Sequence, residues 1–118
     1  MRRSVLGLAL LLAAPAFAQE RNPAERQTLV DLARILGESH AIRQTCEGPQ
    51  DNYWRTRMQR LLNIEAADQG LTRRISLAFN AGYHETRGLY PQCAEAARAE
   101  ARRIAKAAQG LSEKLTGP

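Results

Sequence analysis

The sequence predicts an all-α protein: a four-helix up-down-up-down bundle that follows a cleaved signal peptide and contains one disulfide. Three observations predict this fold class. Apolar residues recur at helical spacing in four segments that are joined by short turns. No segment alternates apolar and polar residues, which is the pattern of a half-buried strand. The chain has two cysteines, and an even number in an exported domain typically forms disulfides.

Residues 1–18 have the three parts of a secretory signal peptide. Residues 1–3 (Met-Arg-Arg) form a basic n-region, residues 5–14 form a Leu-rich apolar run, and residues 16–18 are an Ala-x-Ala cleavage site. The apolar run is shorter than the roughly 20 residues that a membrane-spanning helix needs. We therefore expect cleavage after Ala18, a periplasmic location, and a single domain over residues 19–118. No transmembrane segment is expected in that domain.

The first helix is predicted to begin at Pro23 and to run to about Thr45. Asn22 suits the N-cap, proline suits the first helical position, and Glu25 can complete a capping box. The residues expected to face the core are Leu29, Leu32, Ala33 and Leu36. Residues 47–50, which include glycine and proline, are predicted to form a turn.

The second helix is predicted to begin at Asp51, as N-cap, and to end near Ala66. One face carries Trp54, Met58, Leu61, Leu62 and Glu65. Glu65 is the only acid on this apolar face. We expect it to pair with Arg43, Arg73 or Arg74, and the alternative is a catalytic carboxylate.

The third helix is predicted to begin near Asp68 or Gly70 and to be broken by Gly88. Its apolar stripe consists of Leu71, Ile75, Ala78, Phe79 and Gly82. Asn80, inside this region, is expected to be buried and hydrogen-bonded to a neighbouring element, with a ligand contact as the alternative. Gly82 indicates close approach of another helix, for which the helix that carries Trp54 is the candidate.

The fourth helix is predicted to begin after Tyr90, with Pro91 at its first position. Its core-facing residues form a narrow heptad-like seam of Ala97, Ala101, Ile104, Ala108, Leu111 and Leu115. The up-down topology places Cys46 and Cys93 at one end of the bundle, here called the cysteine pole. The same topology brings five aromatic residues to this pole: Tyr53, Trp54, Phe79, Tyr83 and Tyr90. We therefore predict a Cys46–Cys93 disulfide.

The chain resembles a family of small secreted proteins of alphaproteobacteria, known as conserved hypothetical proteins with two well-separated cysteines. The resemblance covers roughly residues 29–97. It is carried by Cys46, residues 53–55 (Tyr-Trp-Arg), Met58, Leu61, Leu62, Glu65, residues 79–83 (Phe-Asn-Ala-Gly-Tyr) and Cys93. The resemblance implies a bacterial exported protein with a disulfide. It implies no activity, because the function of the family is unestablished.

Two surfaces are candidates for binding. The first is at the cysteine pole and comprises His40, Trp54, Arg55, Asn80, Tyr83 and His84. The alternative for these residues is a core packed around the disulfide. The second is a basic face of the fourth helix, formed by Arg98, Arg102, Arg103 and Lys106, in the more basic half of the chain. This face is either a solvated outer surface or a contact for anionic envelope material.

No catalytic residue, metal site or cofactor is predicted. The sequence contains no Cys-x-x-Cys, His-Glu-x-x-His or Gly-x-Ser-x-Gly motif. The leading hypothesis is a non-enzymatic adaptor, accessory subunit or envelope-binding module. Its partner would be a periplasmic protein or an anionic envelope component, and no nucleic-acid partner is expected. The alternative is a periplasmic protein that binds a small ligand or a metal at the cysteine pole, and a cell-wall enzyme acting through Glu65 is a third hypothesis.

Overall fold

The computed structural model describes residues 21–116, so the predicted signal peptide lies outside the described residues. Four helices follow one another: α1 is Pro23–Glu47, α2 is Tyr53–Glu65, α3 is Gln69–Leu89 and α4 is Glu95–Thr116. Within residues 21–116 there is no strand. The predicted all-α fold class is confirmed.

The chain runs up, down, up and down through the four helices. Arg26 pairs with Asp68 near the starts of α1 and α3, and Thr45 donates a hydrogen bond to the Tyr90 carbonyl near their ends, so these helices are parallel. Arg21, just before α1, bonds to Glu65 at the end of α2 and to the Leu115 carbonyl near the end of α4. Helices α2 and α4 are therefore antiparallel to α1.

Helix α1 is the central element, and α2, α3 and α4 each pack chiefly against it. The largest buried cluster joins α1, α2 and α3 through Leu29, Leu32, Ala33, Leu36, Met58, Leu71, Ile75 and Phe79. A smaller cluster joins α1 to α4 through Ile42, Ala97 and Ile104. The predicted apolar faces of α1 and α3 therefore form the core.

The contact of α1 with α3 is close enough to require glycine on both helices. A Cβ atom at Gly37 would collide with the Phe79 carbonyl, and one at Gly82 would collide with the Arg34 carbonyl. The prediction that Gly82 marks a close approach is confirmed. The predicted partner was wrong, because the backbone that Gly82 faces belongs to α1 and not to the helix that carries Trp54.

The helix ends follow the sequence signals at α1 but depart from them elsewhere. Asn22 caps α1 in a full capping box with Glu25, as predicted. Gly48, with φ at 120°, follows the last residue of α1. Asp51 is not an N-cap: α2 begins at Tyr53 after Asn52. The Asp51 carboxylate accepts hydrogen bonds from Arg43 and from the Tyr53 amide instead.

The predicted boundaries between α3 and α4 were also wrong. Gly88 lies inside α3, which continues to Leu89, because a single glycine only weakens a helix that is held by its buried face. Pro91 is not the first residue of α4, which begins at Glu95. The intervening residues carry Cys93 to Cys46.

The disulfide between Cys46 and Cys93 is present, with their Cα atoms 4.9 Å apart. It joins the end of α1 to the segment before α4. The predicted disulfide is confirmed, and so is the prediction that both cysteines lie at the same end of the bundle. Among the described helices, none has the length and apolar character needed to cross a membrane.

Candidate functional site

The aromatic residues near the cysteine pole divide into separate groups. The rings of Tyr53 and Trp54 meet edge to face, with centroids 4.9 Å apart. His40 lies between Phe79 and Tyr83, with centroid distances of 5.5 and 5.0 Å. The predicted binding surface is therefore brought together only in part.

His40 occupies the interface of α1 and α3, and 1% of its surface is exposed. Its Nδ1 atom has no hydrogen-bond partner. Burial lowers the pKa of His40, the positive charges of Arg55 and Arg87 lower it further, and Asp51 opposes them. A buried imidazole with a lowered pKa is neutral at pH 7. His40 therefore acts as a packed aromatic side chain and is not exposed to solvent as a general base would be.

The stability of the fold is expected to depend on pH through His40. The unfolded chain binds a proton at its ordinary pKa of about 6.5, whereas the folded chain resists protonation until a lower pH. The stability that neutral His40 contributes to the fold is therefore fully present above pH 6.5 and is lost as the pH falls below that value. Urea unfolding between pH 7.5 and pH 5 measures this slope, and His40→Phe should flatten it.

A matched control for this prediction is His84→Gln, because His84 lies on α3 and is exposed, whereas His40 is buried between α1 and α3. That variant should keep the slope of the wild-type protein. Burial raises the pKa of Glu38, so its protonation favours the folded state and opposes the effect of His40 as the pH falls. The comparison with His40→Phe separates the two groups, since Glu38 is unchanged in both proteins. Equal slopes for wild type and His40→Phe would refute the prediction.

Tyr83 and the other polar residues of the predicted surface have different surroundings. The Tyr83 hydroxyl donates a hydrogen bond to Gln44 Oε1 at 2.5 Å, and its ring meets that of His84 edge to face. Arg55 lies above the Phe79 ring, 5.3 Å from the centroid. Asn80 is exposed, so the prediction that it is buried was wrong. Successive residues of an α-helix are rotated by about 100° around its axis, so Asn80 does not share the buried face on which Phe79 lies.

Glu65 is buried and forms a two-pronged ion pair with Arg21. Arg21 Nε and Nη2 donate to Glu65 Oε1 and Oε2 at 2.8 and 2.9 Å. The ion pair was predicted, but the proposed partners Arg43, Arg73 and Arg74 were wrong. Both carboxylate oxygens are committed to a guanidinium that precedes α1, so Glu65 closes the pole opposite the disulfide.

The basic face of α4 is largely neutralised by neighbouring carboxylates. Arg98 and Arg102 both pair with Glu95, at 3.4 and 3.1 Å. Arg103 pairs with Glu100 at 2.5 Å and approaches Glu38 at 3.5 Å. An anion that binds to these arginines has to compete with carboxylates that are already in place. Lys106 completes the face and is exposed.

A second basic surface, which sequence analysis missed, lies on α2. Arg57 and Arg60 line a shallow depression with Tyr53, and this set of three residues is called the α2 arginine surface. The Arg57 guanidinium lies 4.2 Å from the centroid of the Tyr53 ring. Neither arginine pairs with a carboxylate of residues 21–116. The available signal was that α2 contains three arginines and no acid before its last residue.

The part of the chain that the structure describes contains no cluster of candidate metal ligands. Residues 21–116 contain no group of three or more His, Cys, Asp and Glu side chains that could hold an ion. Cys46 and Cys93 are bonded to each other, and His40 is buried between rings. The thiols are therefore unavailable as ligands in the oxidised chain.

Comparison with known proteins identifies a family of unknown function. The model of a family described as a protein of unknown function (DUF2385) matches residues 23–117, which include all four helices. Neither the curated proteins nor the solved structures contain a significant match to the chain.

Proposed function

The chain belongs to the DUF2385 family of proteins of unknown function, and we propose that it is an exported, non-enzymatic module that binds the anionic surface of the cell envelope. The α2 arginine surface makes the contact. Residues 1–18 serve as a signal peptide that is removed after Ala18, and residues 19–118 are the mature domain. Mass spectrometry of the protein recovered from a periplasmic fraction tests this export, since it should begin at Gln19.

The observation that carries the binding proposal is the contrast between the two basic surfaces. Arg57 and Arg60 are exposed and have no carboxylate partner among residues 21–116, whereas three arginines of α4 are paired. An unpaired guanidinium attracts an anion without first giving up an existing ion pair. The Tyr53 ring holds Arg57 in place, which reduces the side-chain entropy that binding would cost.

The buried polar groups support a binding role over catalysis. Glu65 is bound to Arg21, the cysteines are bonded to each other, and His40 is enclosed by Phe79 and Tyr83. These groups, which could otherwise transfer a proton or attack a substrate, are thereby engaged in the fold. The charge that faces solvent on α2 remains available for a partner.

Vesicles that contain phosphatidylglycerol in phosphatidylcholine provide the test. The wild-type protein should bind these vesicles and bind pure phosphatidylcholine much more weakly, and added salt should reduce the binding. Each arginine near an anionic surface contributes about 1 kcal/mol, so the R57Q/R60Q variant should bind on the order of 30-fold more weakly. Co-sedimentation at a series of lipid concentrations measures the affinity.

The matched control is R98Q/R102Q, which removes the same charge from α4. Because these arginines already pair with Glu95, this variant should stay within about threefold of wild type. Equal losses in the two variants would mean that net charge and not the α2 arginine surface determines binding. The absence of any preference for the anionic vesicles would contradict the proposal itself.

A further inference from the structure

The outer face of α2 carries an exposed apolar side chain at each end of its pair of arginines. Residues 53, 57, 60 and 64 have the spacing of a single helix face. Tyr53 is 41% exposed and Ile64 is 59% exposed, and Arg57 and Arg60 between them are exposed as well. Tyr53 and Ile64 lie about 16 Å apart along the helix axis. The α2 arginine surface therefore continues through Ile64 into a longer face with both charged and apolar side chains.

The other side of α2 attaches the helix to the bundle and leaves the outer face free. Met58 and Glu65 are the buried residues of α2, and Trp54 packs against the core cluster. Glu65 is the only acid of the helix, and both of its carboxylate oxygens accept hydrogen bonds from Arg21. No side chain of α2 therefore places a negative charge on the outer face.

The shallow depression beside the arginines is lined by hydrogen-bond donors and contains no carboxylate. Its volume is about 320 Å³, and its lining consists of Asn52, Tyr53, Thr56, Arg57 and Arg60. The side chain of Asn52 makes no capping hydrogen bond to α2, although this residue is the N-cap. A guanidinium matches the oxygens of a phosphate in charge and geometry. The depression therefore fits a phosphate group, but a phosphate alone leaves the exposure of Ile64 unexplained.

We infer that this face of α2 lies flat on an anionic phospholipid bilayer, with lipid phosphates at Arg57 and Arg60 and the Ile64 side chain inserted among the acyl chains. The inference rests on the proposed function and names the partner of the same surface. A bilayer interface presents phosphates and, directly beneath them, hydrocarbon, so it matches both kinds of side chain. Tyrosine is favoured at the level of the headgroups, where the Tyr53 ring would lie. A soluble polyanion matches the arginines but offers no apolar surface to Ile64.

The distribution of exposed apolar side chains favours α2 over α4 for this contact. The large apolar side chains that are exposed within residues 21–116 are Tyr53, Ile64, Leu77 and Leu89, and none of them belongs to α4. The basic face of α4 therefore has neither free guanidiniums of the kind found on α2 nor a bulky apolar side chain to insert. Both features occur together on the outer face of α2.

Ile64→Gln tests the insertion, because it removes the apolar side chain and leaves the charge of the protein unchanged. The variant should bind phosphatidylglycerol-containing vesicles about fivefold more weakly than the wild-type protein. It should bind soluble polyglutamate, which has no apolar interior, as the wild-type protein does. The matched control is Leu77→Gln, since Leu77 of α3 is 60% exposed and lies outside this face. That variant should bind the vesicles normally.

Ile64→Trp provides a direct measure of insertion. Its tryptophan emission should move to shorter wavelength when vesicles are added, and lipids with brominated acyl chains should quench it. Leu77→Trp should show neither effect, and the wild-type protein gives the background from Trp54, the only tryptophan of the natural chain. Circular dichroism and urea unfolding of each variant establish that the fold is retained.

The outcomes separate the insertion of Ile64 from the envelope contact itself. Normal vesicle binding by Ile64→Gln, or equal losses in Ile64→Gln and Leu77→Gln, overturns the inference, and so does a matching loss of polyglutamate binding. The proposed function survives these results if R57Q/R60Q still binds the vesicles weakly. A wild-type protein without any preference for anionic vesicles overturns both.

Discussion

Replacing both cysteines, in the variant C46S/C93S, is expected to lower the free energy of unfolding by about 4 kcal/mol. The bridge joins residues that are 47 positions apart, and its removal gives the unfolded chain the entropy of an open loop of that length. Small domains have total stabilities of about 5–15 kcal/mol, so the loss is a large share of the whole. Urea unfolding followed by circular dichroism measures it.

The effect should be concentrated in α4. This helix contributes only Ala97 and Ile104 as buried residues, and it packs chiefly against α1. Without the covalent link, amide hydrogens of α4 should exchange faster relative to those of α3 than they do in the oxidised protein. A reducing agent should bring the wild-type protein to the stability of the variant and leave the variant unchanged. Unfolding midpoints that are equal for oxidised wild type and C46S/C93S would contradict the expected role of the bridge.

The helices and the disulfide could be predicted because their signals are local or topological. The capping box of Asn22 and Glu25 and the apolar spacing along α1 and α3 depend on neighbours within a few residues. The meeting of Cys46 with Cys93 needed only the alternation of helix direction. These features do not depend on the detailed rotation of one helix against another.

The contacts between helices could not be predicted, because they depend on that rotation and on which helix is central. Glu65 was expected to find an arginine, but Arg21 is 44 residues away and precedes the first helix. The pocket lined by Ile42 of α1, Trp54 of α2 and the alanines of α4 depends on three helices at once, although these alanines had marked a seam of small side chains. The α2 arginine surface could not be predicted from the charge of the segment, because the acidic residues around α2 balance its arginines in the sequence. In the folded chain these acids do not pair with Arg57 or Arg60.

Adding one methyl group at the contact of α1 with α3 is expected to destabilise the fold by about 3 kcal/mol, the upper end of the usual range for overpacking, because the obstacle is backbone. In Gly82→Ala the new Cβ would collide with the Arg34 carbonyl oxygen and lie 3.1 Å from the carbonyl carbon. In Gly37→Ala it would collide in the same way with Phe79, at 2.8 Å from the carbonyl carbon. Because the obstacle is backbone, a side-chain rotation cannot relieve the collision, and the two helices have to separate.

Gly110→Ala is the control that separates packing from helix propensity. Gly110 lies within α4, and a Cβ there meets nothing within 4 Å. Alanine at this position should therefore stabilise the fold by about 0.5–1 kcal/mol. Thermal and urea unfolding of the three variants, with the disulfide intact, give the comparison. A Gly82→Ala protein as stable as the wild type would mean that α1 and α3 do not approach through this glycine.

The double variant G37A/G82A tests whether the two glycines act as one contact. Each methyl group pushes the same pair of helices apart, so the separation forced by the first makes room for part of the second. The double variant should therefore lose less stability than the sum of the two single variants. Helix separation also loosens the enclosure of His40 between α1 and α3, so the pH dependence of stability should weaken in any of these variants that still folds. Additive losses with an unchanged pH slope would place the two collisions in independent parts of the interface.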